Sequence, residues 1–144
     1  MRADCPFCSI VRGDTEASIL HEDETALAFL DYRPITPGHL LVVPRVHASH
    51  LADLDEESGG HLFSLAMRLA AALRRSGLRC DGVVLFLSDG VAAGQEVPHV
   101  HLHVFPRFPG DGFGRRFPSG RTLSDRAELE AVAAQIRKAL DERR

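Results

Sequence analysis

The chain has 144 residues, a net charge of −3, 44% hydrophobic residues and 26% charged residues, values ordinary for a globular domain long enough to bury a core. No apolar run approaches the roughly 20 residues of a membrane span, and the small negative charge gives no overall reason to expect a nucleic-acid partner. We therefore expect one domain over residues 1–144, with neither a membrane nor a nucleic acid as its partner.

The N-terminal segment contains two cysteines, Cys5 and Cys8, in a CxxC spacing. This spacing occurs in metal sites and in redox pairs, and two buried free thiols are a further reading. The segment has no hydrophobic stretch that resembles a signal peptide. With three cysteines in all, the chain is expected in the cytoplasm, where thiols stay reduced. Cys80 has no nearby cysteine and is expected in the core.

Short apolar runs between turn residues predict four strands. Pro44 closes the third of them, and the acidic turn 22–24 separates the first two. The predicted strands cover residues 19–21, 26–31, 40–43 and 83–87.

Two helices are predicted from apolar stripes with helical spacing. The first covers residues 55–76 and ends at Gly77, and the second begins after Ser124 as its N-cap. The stripes consist of Leu62, Leu65, Ala66, Leu69 and Leu73, and of Leu129, Val132, Ala133, Ile136 and Leu140. Strands interleaved with helices and joined by short turns predict an α+β fold with an antiparallel sheet, a main helix and a C-terminal helix.

Residues 106–122 are rich in glycine and proline and predict an irregular loop. The loop carries four arginines: Arg107, Arg115, Arg116 and Arg121. We favour a solvated loop, and contact with the distal phosphates of a dinucleotide is the alternative.

The most informative segment is residues 98–105, where His99, His101 and His103 alternate with apolar residues. A period of two predicts a strand with the three imidazoles on one face and the apolar side chains facing a core. Three rings that titrate near neutral pH are crowded on that face. Such crowding favours a site for a metal, an anion or a substrate over a solvated strand.

The run His-Val-His-Leu-His-Val, preceded by residues 94–98, resembles the signature of the histidine triad (HIT) nucleotide hydrolases and transferases. Residues 28–34 and 37–44 are similar to the first half of the same family. The resemblance implies the HIT-like fold, a homodimer and a nucleotide substrate. It is closest to the zinc-binding bacterial members.

The resemblance also implies a mechanism, in which the central histidine, His101, attacks the α-phosphorus and forms a covalent nucleotidyl-histidine that water hydrolyses. His99 and His103 complete the catalytic triad, with His103 on the phosphate oxygens. Substrates of the adenosine phosphoramidate or dinucleoside polyphosphate class are expected, with aminoacyl-nucleotides as a further candidate. Three alternatives stay open: a phosphorylase or transferase, a nucleotide-binding protein with weak catalysis, and a metal-binding regulatory module.

Seven further residues are candidates for substrate binding. Asp31 would bind the ribose or simply begin a turn, Phe29 would line the base or pack in the core, and His39 would support the triad. Ser88 stands where many family members carry asparagine, and Glu96 is either a general acid or a surface carboxylate. The anion cradle would consist of Gly94 and Gln95. The remaining histidines, His21, His50 and His61, are expected to be bystanders.

Similar bacterial members of the family bind structural zinc through a CxxC pair, a histidine after the Val-Pro strand and the first triad histidine. The matching residues in this chain are Cys5, Cys8, His47 and His99. Four protein ligands close a zinc tetrahedron, so the metal would stabilise the fold and would not act on the substrate.

Overall fold

The computed structural model describes residues 2–113 and 123–142. It contains three helices, α1 (Pro6–Arg12), α2 (Glu56–Arg75) and α3 (Arg126–Asp141), and five strands. The strands are β1 (Ile19–Glu22), β2 (Ala26–Leu30), β3 (Leu40–Pro44), β4 (Gly82–Phe86) and β5 (Leu102–Arg107). Short 3₁₀ turns cover Leu51–Asp53 and Val91–Ala93. None of the described helices combines the length and the apolar character that a membrane span requires.

The five strands form one antiparallel sheet in the order β1-β2-β3-β5-β4. The predicted α+β fold with an antiparallel sheet, a main helix and a C-terminal helix is confirmed. Strand alternation divides the apolar side chains between two faces, as a period of two requires. One face packs against α2 and α3 in the larger core, and the other packs against α1. Cys80 is partly buried against the larger core.

Helix α1 was not predicted, although its ends have recognisable capping residues. Cys5 is the N-cap, Pro6 takes the first helical position, and Gly13 ends the helix with a φ of +85°. The helix is only seven residues long, too short for periodicity to reveal it. Its packing brings the CxxC segment against the sheet face opposite α2.

Two predicted boundaries were wrong. Ser124 is not the N-cap of α3, because its N–H donates to the Tyr32 carbonyl, whereas the Asp125 side chain accepts from the Glu128 N–H and caps the helix. The last strand begins at Leu102 and not at residue 98, since the His99 N–H bonds to the Val97 carbonyl in a local turn. The strand also extends through Arg107, so the irregular loop begins later than expected.

The β1–β2 turn is connected to α2 by histidines that were expected to be bystanders. His21 Nε2 and His61 Nε2 lie 2.8 and 2.7 Å from the same oxygen of Asp23. The other Asp23 oxygen accepts from the backbone N–H groups of Thr25 and Ala26. Burial alone would raise the pKa of Asp23, but these hydrogen bonds outweigh burial and hold that pKa well below its usual range. The cluster therefore stabilises the fold.

Candidate active site and metal centre

A cleft of about 1150 Å³ lies on the α1 face of the sheet. Its floor is one row of paired residues across four strands, because Phe29 pairs with Leu41, Leu41 with His103, and His103 with Phe86. The Phe86 ring stacks on the His103 imidazole with centroids 4.1 Å apart and planes 9° from parallel. The antiparallel register thus brings one triad histidine to the centre of an apolar floor.

His101 lines the same cleft and is only 6% exposed. Its Nδ1 lies 2.8 Å from the His99 carbonyl oxygen. Because a carbonyl only accepts hydrogen bonds, Nδ1 must carry the proton, and the lone pair of the neutral ring is on Nε2. Burial lowers the pKa of His101, and the His99 hydrogen bond and the charges of Asp31 and Glu96 oppose this effect. A neutral imidazole with a free Nε2 lone pair is a suitable nucleophile.

His103 has the opposite tautomer, which His39 determines. The Ile35 N–H donates to His39 Nδ1 at 3.0 Å, so the proton of the neutral His39 ring is on Nε2. That nitrogen lies 2.9 Å from His103 Nδ1 and donates to it. The proton of a neutral His103 is therefore on Nε2, where it can donate to an anion. The predicted support of the triad by His39 agrees with this geometry.

Asp31 lies beside this pair, with its Oδ2 3.6 Å from His39 Nε2. Its other oxygen accepts from the Arg33 N–H at 2.8 Å, as in a turn. Asp31, His39 and His103 are close enough to resemble a metal-ligand set. The Ile35 N–H argues against this, because it occupies the Nδ1 lone pair of His39 and so requires the proton on Nε2. We interpret the three as a hydrogen-bonded network.

The second cluster contains Cys5, Cys8, His47 and His99, whose ligand atoms all lie within 4.8 Å of one another. Cys5 Sγ is 3.3 Å from His99 Nδ1, and Cys8 Sγ is 3.4 Å from His47 Nδ1. In a zinc tetrahedron with Zn–S near 2.3 Å and Zn–N near 2.0 Å, neighbouring ligand atoms are about 3.5 Å apart. The predicted four-residue cluster is confirmed, and its spacing fits a structural zinc ion.

The protonation of His99 also fits a metal ligand. Its Nε2 lies 2.9 Å from the Pro44 carbonyl oxygen and donates to it, so the Nδ1 lone pair faces the two sulfurs. Burial lowers the pKa of both His99 and His47, which keeps the rings neutral and able to ligate. A metal ion here would hold the chain at His99, whose carbonyl orients the His101 ring.

A family model described as the HIT domain matches residues 12–110. The chain belongs to the HIT domain family. An uncharacterized HIT-like protein of Borreliella burgdorferi is 37% identical over 135 residues, which are 92% of this chain and 96% of the relative.

Two solved structures extend this comparison. A Zn-bound histidine triad family protein from Mycobacterium smegmatis has a TM-score of 0.83 at 40% identity, over 96% of this chain and 94% of its own. A HIT family hydrolase from Legionella pneumophila Philadelphia 1 has a TM-score of 0.60 at 32% identity, over 81% of this chain and 97% of its own. The resemblance to the HIT family in the sequence is therefore confirmed.

The HIT cleft brings together most of the predicted site residues but not all of them. Asp31, Phe29, Ser88, Gly94, Glu96, His101 and His103 line it. His39 lies behind His103, and His99 is fully buried in the metal cluster. His99 thus contributes its backbone carbonyl to the triad, whereas its imidazole faces the metal ligands.

Gln95 is placed differently from the expected anion cradle. Its side-chain carbonyl accepts from the Gly90 N–H at 2.7 Å, and its amide donates to the carbonyls of Ser49 and Val97 at 2.8 and 3.0 Å. These bonds hold the loop 90–97 in place, so the Gln95 side chain supports the cleft from behind. Gly94, with a φ of +99°, takes a backbone conformation that other residues rarely adopt.

Sequence reasoning missed Phe7 and Phe86 in the HIT cleft. The Phe7 ring is 5.1 Å from that of His101, and Phe86 stacks on His103. Alternation along β4 could have placed Phe86 on the same face as Val84, but only the register with β5 puts it beside a histidine. Among the loop arginines, Arg107 pairs with Asp111 at 2.6 Å, and Arg115, Arg116 and Arg121 lie outside the described residues.

Proposed function

We propose that this HIT protein is a hydrolase that cleaves nucleotides at the α-phosphorus through a covalent nucleotidyl-histidine on His101. The observation that carries the proposal is the paired tautomers of two neighbouring histidines in one cleft. Because His101 Nδ1 donates to the His99 carbonyl, His101 Nε2 carries a lone pair. Because His103 Nδ1 accepts from His39, His103 Nε2 carries a proton that it can donate. A nucleophile and an anion-stabilising donor are the two groups that displacement at phosphorus requires.

In the first step, His101 Nε2 would attack the α-phosphorus, and the bond from phosphorus to the leaving group would break. The leaving group would keep the bonding electron pair and take a proton from water. The His103 Nε2–H would donate to a non-bridging oxygen, whose negative charge must be balanced through the displacement. The His101 Nδ1–H would continue to donate to the His99 carbonyl, and this hydrogen bond would stabilise the positive charge of the substituted ring. In the second step, water would attack phosphorus and lose a proton to solvent, and the bond from phosphorus to Nε2 would break. This would release the nucleoside monophosphate and restore the neutral imidazole.

The nucleoside would occupy the part of the cleft between α1 and β2. Phe7, Ile10 and Phe29 provide apolar surface there, and Asp31 follows β2 at the same end. A carboxylate accepts hydrogen bonds from both hydroxyls of a sugar diol, so Asp31 suits a ribose. The apolar side chains would pack on the base.

The cysteine–histidine cluster would hold structural zinc, as the zinc-bound relative from Mycobacterium smegmatis supports. The metal would rigidify the segment that leads into His101 without contacting the substrate. Reduced thiols are needed for such a site, which supports a cytoplasmic location.

We further propose a homodimer that forms at the β4 side of the sheet. β4 is an edge strand whose residues are all only partly buried. On α2, Phe63 and Met67 are 54% and 59% exposed and lie one helical turn apart. Among the described residues, the outer edge of β4 pairs with no other strand. Such an edge, and exposed apolar residues on the main helix, are surfaces that a second copy could cover.

The proposal is tested by nucleotide turnover with a His101→Ala variant and a His50→Ala control. His50 is exposed and lies outside the cleft. We expect release of nucleoside monophosphate from an adenosine phosphoramidate or a dinucleoside polyphosphate by the wild type and the control, and none by H101A. Quenching in denaturant at alkaline pH, where a phosphorus–nitrogen bond to histidine survives, followed by mass spectrometry should detect one nucleotidyl group on the wild-type chain.

Other outcomes distinguish the alternatives. Formation of a nucleoside diphosphate when inorganic phosphate is added would identify a phosphorylase. Binding of the nucleoside monophosphate without turnover of either substrate would identify a nucleotide-binding protein. Zinc binding without nucleotide affinity would favour a metal-binding regulatory module.

A further inference from the structure

The Phe7 ring of α1 contacts both the cysteine–histidine cluster and the histidine that would act as nucleophile. Its centroid lies 5.8 Å from that of the His99 ring and 5.1 Å from that of the His101 ring, with interplanar angles of 80° and 75°. Both are edge-to-face contacts, an arrangement that the charge distribution of aromatic rings favours. Phe7 is only 8% exposed and also packs against Phe29, with centroids 5.6 Å apart. The ring therefore has a fixed place beside two triad histidines.

The hydrogen bond to the His99 carbonyl does not by itself fix the plane of the His101 ring. That bond holds Nδ1, but the ring can still tilt about the hydrogen-bond axis and so displace Nε2. Misplacing a reacting atom by about 1 Å can cost about a hundredfold in rate. A ring that packs against the imidazole restricts such a tilt.

Among the described residues, the rings that pack against His101 are those of Phe7 and His103, with centroids 5.1 and 5.0 Å away. His103 would bind the phosphate oxygens of the substrate. The Phe7 side chain has no polar atom, so it acts on the imidazole through packing alone. This makes Phe7 the neighbour that restrains the ring independently of the phosphate.

The two cysteines that flank Phe7 hold it in this place. Cys5 is the N-cap of α1, and its sulfur accepts from the Cys8 N–H at 3.4 Å. The two sulfurs also lie 3.3 and 3.4 Å from ring nitrogens of His99 and His47, respectively. Both ends of the short segment that carries Phe7 are thus connected to the rest of the fold. The position of the ring beside the nucleophile therefore does not depend on the substrate.

We propose that Phe7 is a positioning residue that holds the His101 ring in the orientation from which Nε2 attacks phosphorus. This role is separate from the packing of Phe7 on the base, because a base contact affects binding, whereas the orientation of the nucleophile affects the chemical step. It rests on the proposed hydrolysis at His101 and adds a residue that acts through the nucleophile.

Phe7→Leu tests this role, because leucine keeps an apolar side chain in the cleft and removes the ring. An edge-to-face ring contact changes a conformational equilibrium about twofold to tenfold. We therefore expect nucleotidyl-histidine formation at saturating adenosine phosphoramidate to be about fivefold slower in F7L, as measured by rapid quenching at alkaline pH and mass spectrometry. Weaker packing on the base would raise the substrate concentration needed for saturation without lowering the saturating rate.

Val11→Ala is the control, because Val11 packs in the same apolar cluster from the same helix and does not line the cleft. It should lower the stability of α1 and keep wild-type kinetics. A saturating rate in F7L equal to that of the wild type, or an equal loss in V11A, would overturn the positioning role while leaving hydrolysis at His101 intact.

The mobility of the His101 ring measures the same role without catalysis. Carbon-13 relaxation of the labelled imidazole reports its order on the picosecond-to-nanosecond timescale. We expect an ordered ring in the wild type and in V11A, and a loss of order in F7L. An equally ordered ring in F7L would overturn the proposal. Absence of turnover by the wild type would instead refute the proposed function, and relaxation would then decide the role of Phe7 separately.

Discussion

Two single substitutions of His39 separate its effect on catalysis from its effect on stability. Each replaces the ring with a side-chain amide, and the two amides differ in reach. The ring is fully buried, with the Ile35 N–H on Nδ1 and His103 on Nε2. An asparagine amide reaches about as far as Nδ1, and a glutamine amide about as far as Nε2. His39→Asn therefore keeps an acceptor for Ile35 and loses the donor to His103, whereas His39→Gln does the reverse.

The expected magnitudes follow from these two hydrogen bonds. In H39Q the Ile35 N–H is left unpaired in a partly buried position, which costs about 1 to 3 kcal/mol. This corresponds to a Tm lower by about 3 to 10 °C. In H39N the missing bond removes about 1 to 1.5 kcal/mol of preference for the Nε2–H tautomer of His103. The two tautomers then approach equal populations, which lowers kcat/KM about twofold.

Thermal unfolding and nucleoside monophosphate release measure the two effects on the same preparations. We expect H39N to be the more stable variant and H39Q the more active one. Nitrogen chemical shifts of His103 report its tautomer without any substrate, and in the wild type they should place the proton on Nε2. A His103 proton on Nδ1 in the wild type, or equal losses in both variants, would refute the reasoning.

Three further predictions concern the metal, the acid sensitivity and a glycine. Cys8→Ser removes one ligand of the cluster, so the zinc content of purified protein should fall from about one ion per chain to near zero; an unchanged content would contradict the four-ligand site. Asp23→Asn should cost about 1 kcal/mol in urea unfolding at pH 6. Because the folded-state pKa of Asp23 is depressed, this difference should be present above about pH 4 and shrink as the pH falls below it; a difference that grows on acidification would exclude the assigned role. Gly38→Ala should destabilise by about 1 to 3 kcal/mol, since φ is +104° and a Cβ would lie 3.1 Å from two leucine side chains; wild-type stability would show that the turn adjusts.

Much of the fold was predictable from local patterns. The alternation of residues 98–105 correctly placed His101 and His103 on one face and the intervening apolar residues in the larger core. The stripe of α2 was correct at every predicted position, from Leu62 to Leu73. These patterns succeed because side-chain direction along a strand or helix follows from backbone geometry over a few neighbouring residues.

Residues that depend on distant partners were harder to predict. The side-chain amide of Gln95 is a suitable donor for an anion cradle, but it donates instead to the Ser49 carbonyl. Asp23 looks like an ordinary turn residue until the fold brings His61 of α2 to its carboxylate. No sequence pattern within a few residues of either position predicts these contacts.

The sequence by itself therefore determined which residue types are the candidates for chemistry in this protein: a histidine triad, a CxxC pair and a carboxylate after β2. The tertiary structure decided which nitrogen of each histidine carries the proton. The His99 carbonyl requires the proton of His101 on Nδ1, and the Pro44 carbonyl requires the proton of His99 on Nε2. The Ile35 N–H requires the proton of His39 on Nε2, and His39 in turn requires the proton of His103 on Nε2. An imidazole is symmetric enough to donate from either nitrogen, so only the partner that folding brings to one of them distinguishes a nucleophile from a donor or a metal ligand.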